Sequence, residues 1–317
     1  MIRQFEYLAA LARERHFARA ATTCHVTQST LSAGIKHLED SLGVLIVARN
    51  RRFVGFTDQG ERVLFWAHHF LADYTTLRQE LGQVAGDLIG KVTVGVIPTA
   101  EPVAPLLTVA LAARHPHVRI IVRSLSSMEI LRGLSDFTLD VGLTYLDHQP
   151  PHLVHAIPVY RESYMLVTSK TGPLSRRKTV RWGEAAALPL CLLTPDMENR
   201  RIIDKQFRLA HAEARTSLET NSLDTLWFHL HSGPWSSILP HVFLPHLKND
   251  DKLIGIPLVE PDASSLIGLV AAQREPISPV VKVLLDLAGS LGVQNRFGAV
   301  LTPDRPAAPR KRTRPRV

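Results

Sequence analysis

The most informative stretch of the chain is FARAATTCHVTQSTLSAGIKHLEDSLG, residues 17–43. Apolar residues recur at helical spacing on both sides of a break at residues 25–27, which predicts a helix over 17–24, a tight turn, and a helix over about 28–42. The major groove of DNA admits one α-helix, and short polar side chains near the start of that helix can reach base edges. The stretch therefore predicts a helix-turn-helix.

Single residues support the predicted ends of these helices. His25 is of a residue type that tolerates the left-handed backbone such a turn often needs. Thr27 is a candidate N-cap for the second helix, and Gly43 is a typical residue after a helix end. We therefore expect a three-residue turn between the two helices.

The segments on either side extend this module. Residues 2–14 place apolar side chains at the spacing of an amphipathic helix. Two short apolar runs, 44–47 and 53–56, lie on either side of an arginine-rich tip. Such a pair predicts a two-stranded wing whose arginines meet DNA phosphates.

Residues 58–86 carry one long helical pattern. Its apolar residues repeat every seven positions in two seams, which are Val63, Phe70, Leu77 and Val84, and Ala67, Tyr74 and Leu81. A helix of about 40 Å is longer than a sixty-residue domain can cover, so the heptad pattern favours a dimerisation helix. An ordinary amphipathic helix packed on its own domain is the alternative.

From Lys91 onward, short apolar runs alternate with helical stretches. This alternation predicts an α/β region with parallel sheets. The predicted strands are 91–97, 118–122, 139–143, 164–167 and 190–193, and the predicted helices are 101–114, 127–135, 199–212 and 223–232. Because Pro150, Pro151 and Pro158 precede a second cluster of such units, we expect two lobes.

Composition bounds the class of protein. The chain has 317 residues, of which 45% are hydrophobic and 21% charged, so it can fill a core, and its length suggests two domains. Two cysteines, Cys24 and Cys191, exclude a disulfide framework and a cysteine-rich zinc module. Neither a signal-peptide pattern nor an apolar run of membrane-spanning length is present, so we expect a soluble cytoplasmic protein and no membrane partner.

The formal net charge of +8 suggests an acidic partner, with nucleic acid first. Residues 304–317 hold six Arg or Lys against one acid, and residues 1–60 hold eight against five. The final segment is rich in proline and arginine without an apolar period, which predicts disorder. Most of the excess charge therefore lies outside the predicted helix-turn-helix.

Several residues, in their order and spacing, closely resemble the N-terminal winged helix-turn-helix of LysR-type transcriptional regulators. They are Phe5, Leu8, Phe17, Ala20, Ala21, Val26, Thr27, Gln28, Ser29, Leu31, Ser32, Ile35, Lys36, Leu38, Glu39, Leu42, Gly43, Arg49, Thr57 and Gly60. The resemblance implies an α/β protein with an N-terminal all-α winged helix-turn-helix and a two-lobed, periplasmic-binding-protein-like effector domain. It also implies a dimer or tetramer on promoter DNA, a small-molecule effector, and RNA polymerase as a partner if the protein is an activator.

The chain departs from the family pattern at a few positions. Arg15 and His16 stand where Gly-Ser is usual, Cys24 where leucine is usual, and Ser29 where proline is common. The runs SLSSMEI, FTLDVGLTYLD and LCLLTPDMENRRIID resemble a subgroup that regulates formate dehydrogenase operons. The departures from the family pattern at Arg15, His16, Cys24 and Ser29 bear on packing and base preference, and they leave the resemblance to the family intact.

The pattern and the resemblance together predict four segments. Residues 1–60 form the DNA-binding domain, 61–90 the dimerisation helix, 91–302 the effector-binding domain, and 303–317 a disordered basic tail. Within the effector-binding domain, one lobe takes about 91–160 plus 267–302 and the other about 161–266.

Candidate DNA-contacting residues lie on the second helix and on the wing. On the helix they are Gln28, Ser29, Thr30, Ser32 and Lys36, and on the wing Arg49, Arg51 and Arg52. A glutamine can pair with adenine in a bidentate way, whereas arginines on phosphates position the protein without reading sequence. The alternative is a solvated polar surface.

Candidate effector-binding residues follow the predicted strands, where helix N-termini and hydroxyl groups often hold an anion. They are Thr99, Ala100, Ser124, Ser126, Ser127, Thr144, Thr194, Asn199 and Arg200. Arg200 can pair with a carboxylate, so an organic acid or other anion is expected. Plain helix caps are the alternative for the Ser and Thr residues.

Other function classes find less support in the sequence. The chain has fifteen histidines, but none lies at a ligand spacing such as His-Glu-x-x-His, so we expect no metal and no cofactor. The alternatives are an α/β enzyme, for which no nucleophile elbow or phosphate-binding loop is present, and a solute-binding protein, for which no secretory signal is present.

Overall fold

The computed structural model describes residues 1–49, 53–83, 88–147 and 154–290. Within these ranges, no helix is both long enough and apolar enough to cross a membrane.

The N-terminal part is a three-helix unit of α1 (Ile2–Glu14), α2 (Phe17–Thr23) and α3 (Gln28–Leu42). Its wholly buried side chains include Leu8, Leu11, Ala20, Leu31, Ile35 and Leu38. These are the apolar positions of the helical pattern, and burying them on one another gives the unit its own core. The predicted helices are therefore present, and we call this unit the head.

The turn between α2 and α3 has the predicted chemistry. His25 adopts a left-handed backbone with φ of 55°. The Thr27 hydroxyl accepts from the backbone N–H of Thr30 at 3.2 Å, so Thr27 caps α3. Gly43 ends α3 with φ of 67°, and all three predictions at this turn are confirmed.

The wing is a two-stranded antiparallel pair, β1 (Val47–Arg49) and β2 (Phe53–Phe56). β1 begins three residues later than its apolar run predicted. The buried Glu39 carboxylate accepts from the backbone N–H groups of Ile46 and Val47 at 3.0 and 3.1 Å. The Ile46 carbonyl accepts from the Thr57 N–H. The backbone groups at the start of the predicted strand thus form hydrogen bonds with Glu39 of α3 and with Thr57, and for this reason they do not pair with a partner strand.

Helix α4 (Asp58–Gln83) follows at once and has 26 residues, a length of about 39 Å. The Thr57 hydroxyl accepts from the Gly60 N–H at 2.9 Å, which caps the helix. A Cβ atom on residue 60 would lie 2.0 Å from the Ile46 carbonyl oxygen. Only glycine allows the start of α4 to lie this close to the wing.

A parallel three-stranded unit opens the α/β region. Its elements are β3 (Gly90–Val96), α5 (Ala104–Arg114), β4 (Val118–Ser124), α6 (Ser127–Ser135) and β5 (Val141–Tyr145), with the strand order β4-β3-β5. The β5 strand is buried along its whole length, as expected for a strand covered on both faces.

Strand β6 (Val154–Ser169) is 16 residues long and runs through both halves of this region. Its first part pairs antiparallel with β12 (Ser264–Ala272), and its last part pairs antiparallel with β10 (Ser237–Pro240) and β11 (Leu253–Val259). The prediction of parallel sheets was therefore wrong for these pairs, and the predicted strand 164–167 is one section of β6.

The remaining elements are β7 (Val180–Arg181), α7 (Trp182–Ala186), β8 (Leu190–Leu193), α8 (Glu198–Leu209), β9 (Thr216–Thr220), α9 (Leu223–Ser232), α10 (Leu244–Lys248) and α11 (Pro279–Ser290). We call the β3-β4-β5-β12 side with the start of β6 the first lobe, and the β7-to-β11 side with the end of β6 the second lobe. The predicted fold class, an α/β protein with an N-terminal helix-turn-helix, is confirmed.

Candidate DNA interface and effector cleft

The exposed side of α3 carries the predicted DNA-contacting residues. Gln28 and Lys36 are exposed and Ser32 is half-buried, and their four-residue spacing places them on one face of the helix. Ser29 is also exposed there, with its hydroxyl 2.8 Å from the Thr27 hydroxyl. Thr30 is exposed but turned back, with its hydroxyl also 2.8 Å from that of Thr27. The structure therefore brings four of the five predicted helix residues to one side.

The wing residues are less completely described. Arg49 is the last residue of β1, and Arg51 and Arg52 lie outside the described residues. The DNA contacts expected of these three arginines stay predictions.

An exposed apolar stripe runs along the second half of α4. Phe70, Tyr74, Leu77 and Leu81 are 53%, 38%, 51% and 66% exposed, and they follow at the predicted heptad spacing. Water-exposed apolar rows of this kind mark contact surfaces. We call these four residues the α4 stripe.

The first half of α4 packs on the head instead. Ala67 is fully buried, and Val63 is half-buried against the core of the head. The Phe5 ring stacks on that of Phe70, with 5.5 Å between ring centroids. Val63 and Ala67 are therefore corrected from dimer contacts to head contacts, because α1 covers this part of the helix. Val84 lies outside the described residues.

The aromatic residues Phe65 and Trp66 were missed by the heptad pattern. They are 39% and 58% exposed, and their rings meet edge to face at 5.9 Å. They fall between the two seams, so the seven-residue period did not select them.

Helix α4 is also tied to the first lobe. The Arg274 guanidinium donates to the Ala72 carbonyl at 3.4 Å and to the Thr76 hydroxyl. The Ser278 hydroxyl donates to the Gln79 side chain at 2.6 Å. These polar contacts connect the base of the effector region to the helix that carries the head.

A small cavity lies between the two lobes. It is lined by Ile97, Pro98, Thr99, Ser126, Ser127 and Tyr145 from the first lobe, and by Leu193, Met197, Glu198 and Asn199 from the second. Its volume is about 10 Å³, close to the space that one water molecule needs. Four predicted effector residues, Thr99, Ser126, Ser127 and Asn199, are thus brought together here, and we call this place the cleft.

The other predicted effector residues do not line the cleft. Ala100 is wholly buried in the core of the first lobe, and Ser124 is exposed at the end of β4. Thr144 lies behind the lining and donates to the Ser127 hydroxyl at 3.0 Å. The Thr194 hydroxyl oxygen is buried without a hydrogen-bond partner among the described residues.

Arg200 is withdrawn from the effector set. Its guanidinium pairs with Asp204 at 2.8 Å and with Glu219 at 2.7 Å, and it also donates to the Leu193 carbonyl at 2.8 Å. The side chain is 10% exposed. Its charge is already matched inside the second lobe, so it does not reach for a ligand carboxylate.

Sequence reasoning missed the polar cluster directly behind the cleft. The Glu162 carboxyl group is wholly buried and accepts from the hydroxyls of Tyr145 at 3.1 Å and Tyr160 at 3.5 Å. Tyr145 in turn lies 3.1 Å from the Thr99 hydroxyl and accepts from the Asn199 amide at 3.5 Å. In the sequence, Glu162 lies just before the predicted strand 164–167, so no signal marked it.

Burial raises the pKa of Glu162 from 4.5 to about 8. Between these two values the unfolded chain loses this proton while the folded chain keeps it, so the free energy of unfolding falls as pH rises. The variant Glu162→Gln has no such proton to lose. We therefore expect its free energy of unfolding, relative to that of the wild type, to rise by about 1.4 kcal/mol for each pH unit within that window.

Urea unfolding of both proteins at several pH values measures this difference. The control is Glu80→Gln, which makes the same change at an exposed glutamate. It is expected to leave the dependence of the free energy of unfolding on pH as it is in the wild type. Parallel profiles for the wild type and Glu162→Gln would contradict the assignment of the proton to Glu162.

Comparison with known proteins adds independent evidence. Residues 2–61 match the family model for the bacterial regulatory helix-turn-helix protein, lysR family, and residues 85–292 match the model for the LysR substrate binding domain. The chain is 29% identical over 280 residues to the DNA-binding transcriptional dual regulator OxyR of Escherichia coli (strain K12), covering 87% of this chain and 90% of that one.

Two further relatives agree. A hydrogen peroxide-inducible genes activator of Pectobacterium carotovorum subsp. carotovorum is 28% identical over 289 residues, which cover 90% of this chain and 94% of that one. The solved structure of a full-length OxyR variant from Pseudomonas aeruginosa matches with a TM-score of 0.72 and 25% identity, covering 92% of this chain and 99% of that one. The narrower resemblance to formate dehydrogenase operon regulators finds no support in these relatives.

Proposed function

Since the chain belongs to the LysR family of bacterial regulators, we propose that it binds promoter DNA as a homodimer or homotetramer and responds to a small molecule bound in the cleft. As a member of this family it is a DNA-binding transcription regulator with an effector-binding domain, and it is not an enzyme. The proposal places it in the cytoplasm, with RNA polymerase as a partner if it activates transcription.

The proposal divides the chain at the positions expected from sequence. Residues 1–60 bind DNA, 61–90 join two protomers, 91–302 bind the effector, and 303–317 form a basic tail. The contacts of Arg274 and Ser278 with α4 support a route from the effector region to the head, because they connect the first lobe to the helix that carries it.

The observation that carries DNA binding is the polar face of α3. Gln28, Ser32 and Lys36 lie on one accessible side, while Leu31 and Ile35 on the other side hold the helix in the head. Such a face can offer hydrogen bonds to base edges and charge to phosphates. Two copies of the head would read two half-sites of a palindrome.

A gel-shift titration on DNA upstream of the chain's own gene tests this function. We expect a discrete complex on a palindromic site that excess nonspecific DNA does not compete away. Binding that is equal on scrambled DNA, or absent at modest salt, would overturn the proposal.

The relatives named for hydrogen peroxide raise the question of whether this chain also responds to peroxide. Peroxide oxidises the thiolate form of cysteine, so a sensor needs an accessible thiol of low pKa. Burial raises the pKa of Cys191 to about 11 and also raises the pKa of Cys24. These are the two cysteines of the sequence, and both are free. The proposed effector therefore acts by binding in the cleft rather than by oxidising a thiol.

We accordingly expect peroxide to leave DNA binding unchanged. The measurement is a gel shift with and without equimolar hydrogen peroxide, combined with mass spectrometry of the thiols. The double variant Cys24→Ser, Cys191→Ser is the control and is expected to behave like the wild type. Rapid oxidation of Cys191, or a peroxide-dependent shift that the double variant lacks, would contradict this expectation.

A further inference from the structure

A large cavity lies between the head, α4 and the first lobe, with walls from α1, α4, β3, β4 and β12. Its volume is about 680 Å³, which is in the usual range for sites that hold small molecules. The described residues that line it are all different from those that line the cleft. We propose that this space, which we call the junction cavity, binds a second small ligand, an organic anion with an apolar body.

Apolar side chains contribute to each side of the junction cavity. Ala9 of α1, Leu71 of α4 and Ile121 of β4 line it, and all three are half-buried. A ligand with an apolar body would remove the remaining surface of these side chains from water, which favours binding.

The charged residues of the lining are mainly basic. They are Arg13, Lys91, Arg123 and Arg274, against Glu6 and Asp140. Arg13 already pairs with Glu14 at 3.1 Å, so the other three cations carry the argument. His68 also lines the cavity, but burial lowers its pKa, so it adds no positive charge at neutral pH.

Lys91 and Arg123 are exposed cations without a partner in the part of the chain that the structure describes. Asp140 is the nearby acid. Burial raises the pKa of Asp140, and the charges of Lys91 and Arg274 act against that rise without forming an ion pair with it. One oxygen of the Asp140 carboxyl group accepts from the Thr93 N–H at 2.7 Å. Lys91 and Arg123 therefore remain available to a ligand.

The strand register places these two cations on one face of the sheet. Lys91 of β3 lies opposite Arg119 of β4, four residues before Arg123, and Thr93 lies opposite Ile121 between them. Side chains at even spacing on a strand share a face, and four residues span about 13 Å. An apolar body resting on Ile121 thus has a cation toward each end.

Arg274 connects this face to α4. Its Nε donates to the Pro276 carbonyl, and its Nη2 donates to the Ala72 carbonyl and the Thr76 hydroxyl and lies 3.7 Å from the Asp73 carboxylate. Its Nη1 forms no hydrogen bond with the described residues and is the donor left for an anion. A ligand bound here would contact both the first lobe and the helix that carries the head, and so would favour the present position of the head.

Two probes with the same rings, 2-naphthoate and 2-naphthamide, separate charge from shape. Isothermal titration calorimetry of the full chain measures the Kd of each at equal ionic strength. We expect one naphthoate site per protomer and about 10-fold weaker binding of the amide, because hydrogen bonds between charged groups are stronger than neutral ones. Equal affinity for the two probes, or no binding of naphthoate, would overturn the proposal.

A double variant, Lys91→Gln with Arg123→Gln, tests the two available cations. We expect it to weaken naphthoate binding by about 10-fold and to leave naphthamide binding unchanged. The matched control is Arg176→Gln with Lys178→Gln, which removes two exposed cations near β7 and is expected to bind naphthoate as the wild type does. An equal loss in both double variants would show general attraction to a basic protein and overturn the proposal, as would no loss in the first.

Steric variants locate the ligand. Ala9→Trp narrows the junction cavity from the head side and is expected to abolish naphthoate binding, while Ala113→Trp on the exposed side of α5 keeps it. Ser127→Leu narrows the cleft and is expected to have no effect. Binding that survives Ala9→Trp in a folded protein, or that Ser127→Leu removes, would place the ligand elsewhere and contradict the proposal. These titrations contain no DNA, so they are independent of the test of the proposed function.

Discussion

Lys36→Glu is expected to weaken binding to the specific site by about 100-fold or more, because each protomer of a dimer replaces an attractive charge at the phosphates by a repulsive one. Lys36 is exposed on the same face of α3 as Gln28, and no buried contact is lost. The head is therefore expected to fold normally. Fluorescence anisotropy over a range of salt concentrations measures the affinity and its salt slope, which is expected to become shallower.

Lys205→Glu is the matched control for this variant. Lys205 is an exposed lysine on a helix of the second lobe, so the change in net charge is the same at a position away from the head. If both variants lose affinity equally, then overall charge rather than the face of α3 governs binding. Unchanged affinity of Lys36→Glu would remove α3 as the recognition helix.

Leu77→Glu is expected to convert the protein to monomers and, as a consequence, to lower operator affinity by about 100-fold or more. Leu77 lies in the middle of the α4 stripe and is 51% exposed, so the free protomer tolerates glutamate there. In a dimer the same side chain would bury an unpaired charge. Loss of the dimer also removes the gain from engaging two half-sites at once. Sedimentation analysis measures the mass, and anisotropy measures the affinity.

The chain offers a close control for Leu77→Glu. Leu209, at the end of α8, is 57% exposed, and Leu209→Glu makes the same chemical change in the second lobe. We expect it to leave the mass and the affinity unchanged. A Leu77→Glu protein that stays dimeric would show that the α4 stripe is not the contact between protomers.

The head could be predicted almost completely from its residues. Helix bounds, the left-handed His25 and the Thr27 cap all depend on contacts within a few positions of one another. Backbone preference and hydrogen-bonding reach decide such features locally. The wing strand was placed less well, because Glu39 takes backbone donors that lie seven and eight residues away.

The cleft was only partly predictable. Strand ends correctly indicated where Thr99, Ser127 and Asn199 meet, because loops at strand ends converge in an α/β fold. The pairing of Arg200 could not be predicted in the same way, since Arg200 lies on α8 and its partner Glu219 is nineteen positions away on β9. An arginine free for a ligand and one already paired look the same in a sequence.

The amino-acid pattern alone thus determined the helix-turn-helix, the long heptad helix and the α/β region, because periodicity and capping are local properties of the chain. Folding in three dimensions decided which groups stay available. Burial of Glu162 behind Tyr145, pairing of Arg200 with Glu219 and packing of Ala67 on the head all depend on residues distant in sequence. Charge and hydrogen-bonding capacity at a site are what remain after such partners are satisfied, and for this reason Arg200 does not belong to the expected effector set.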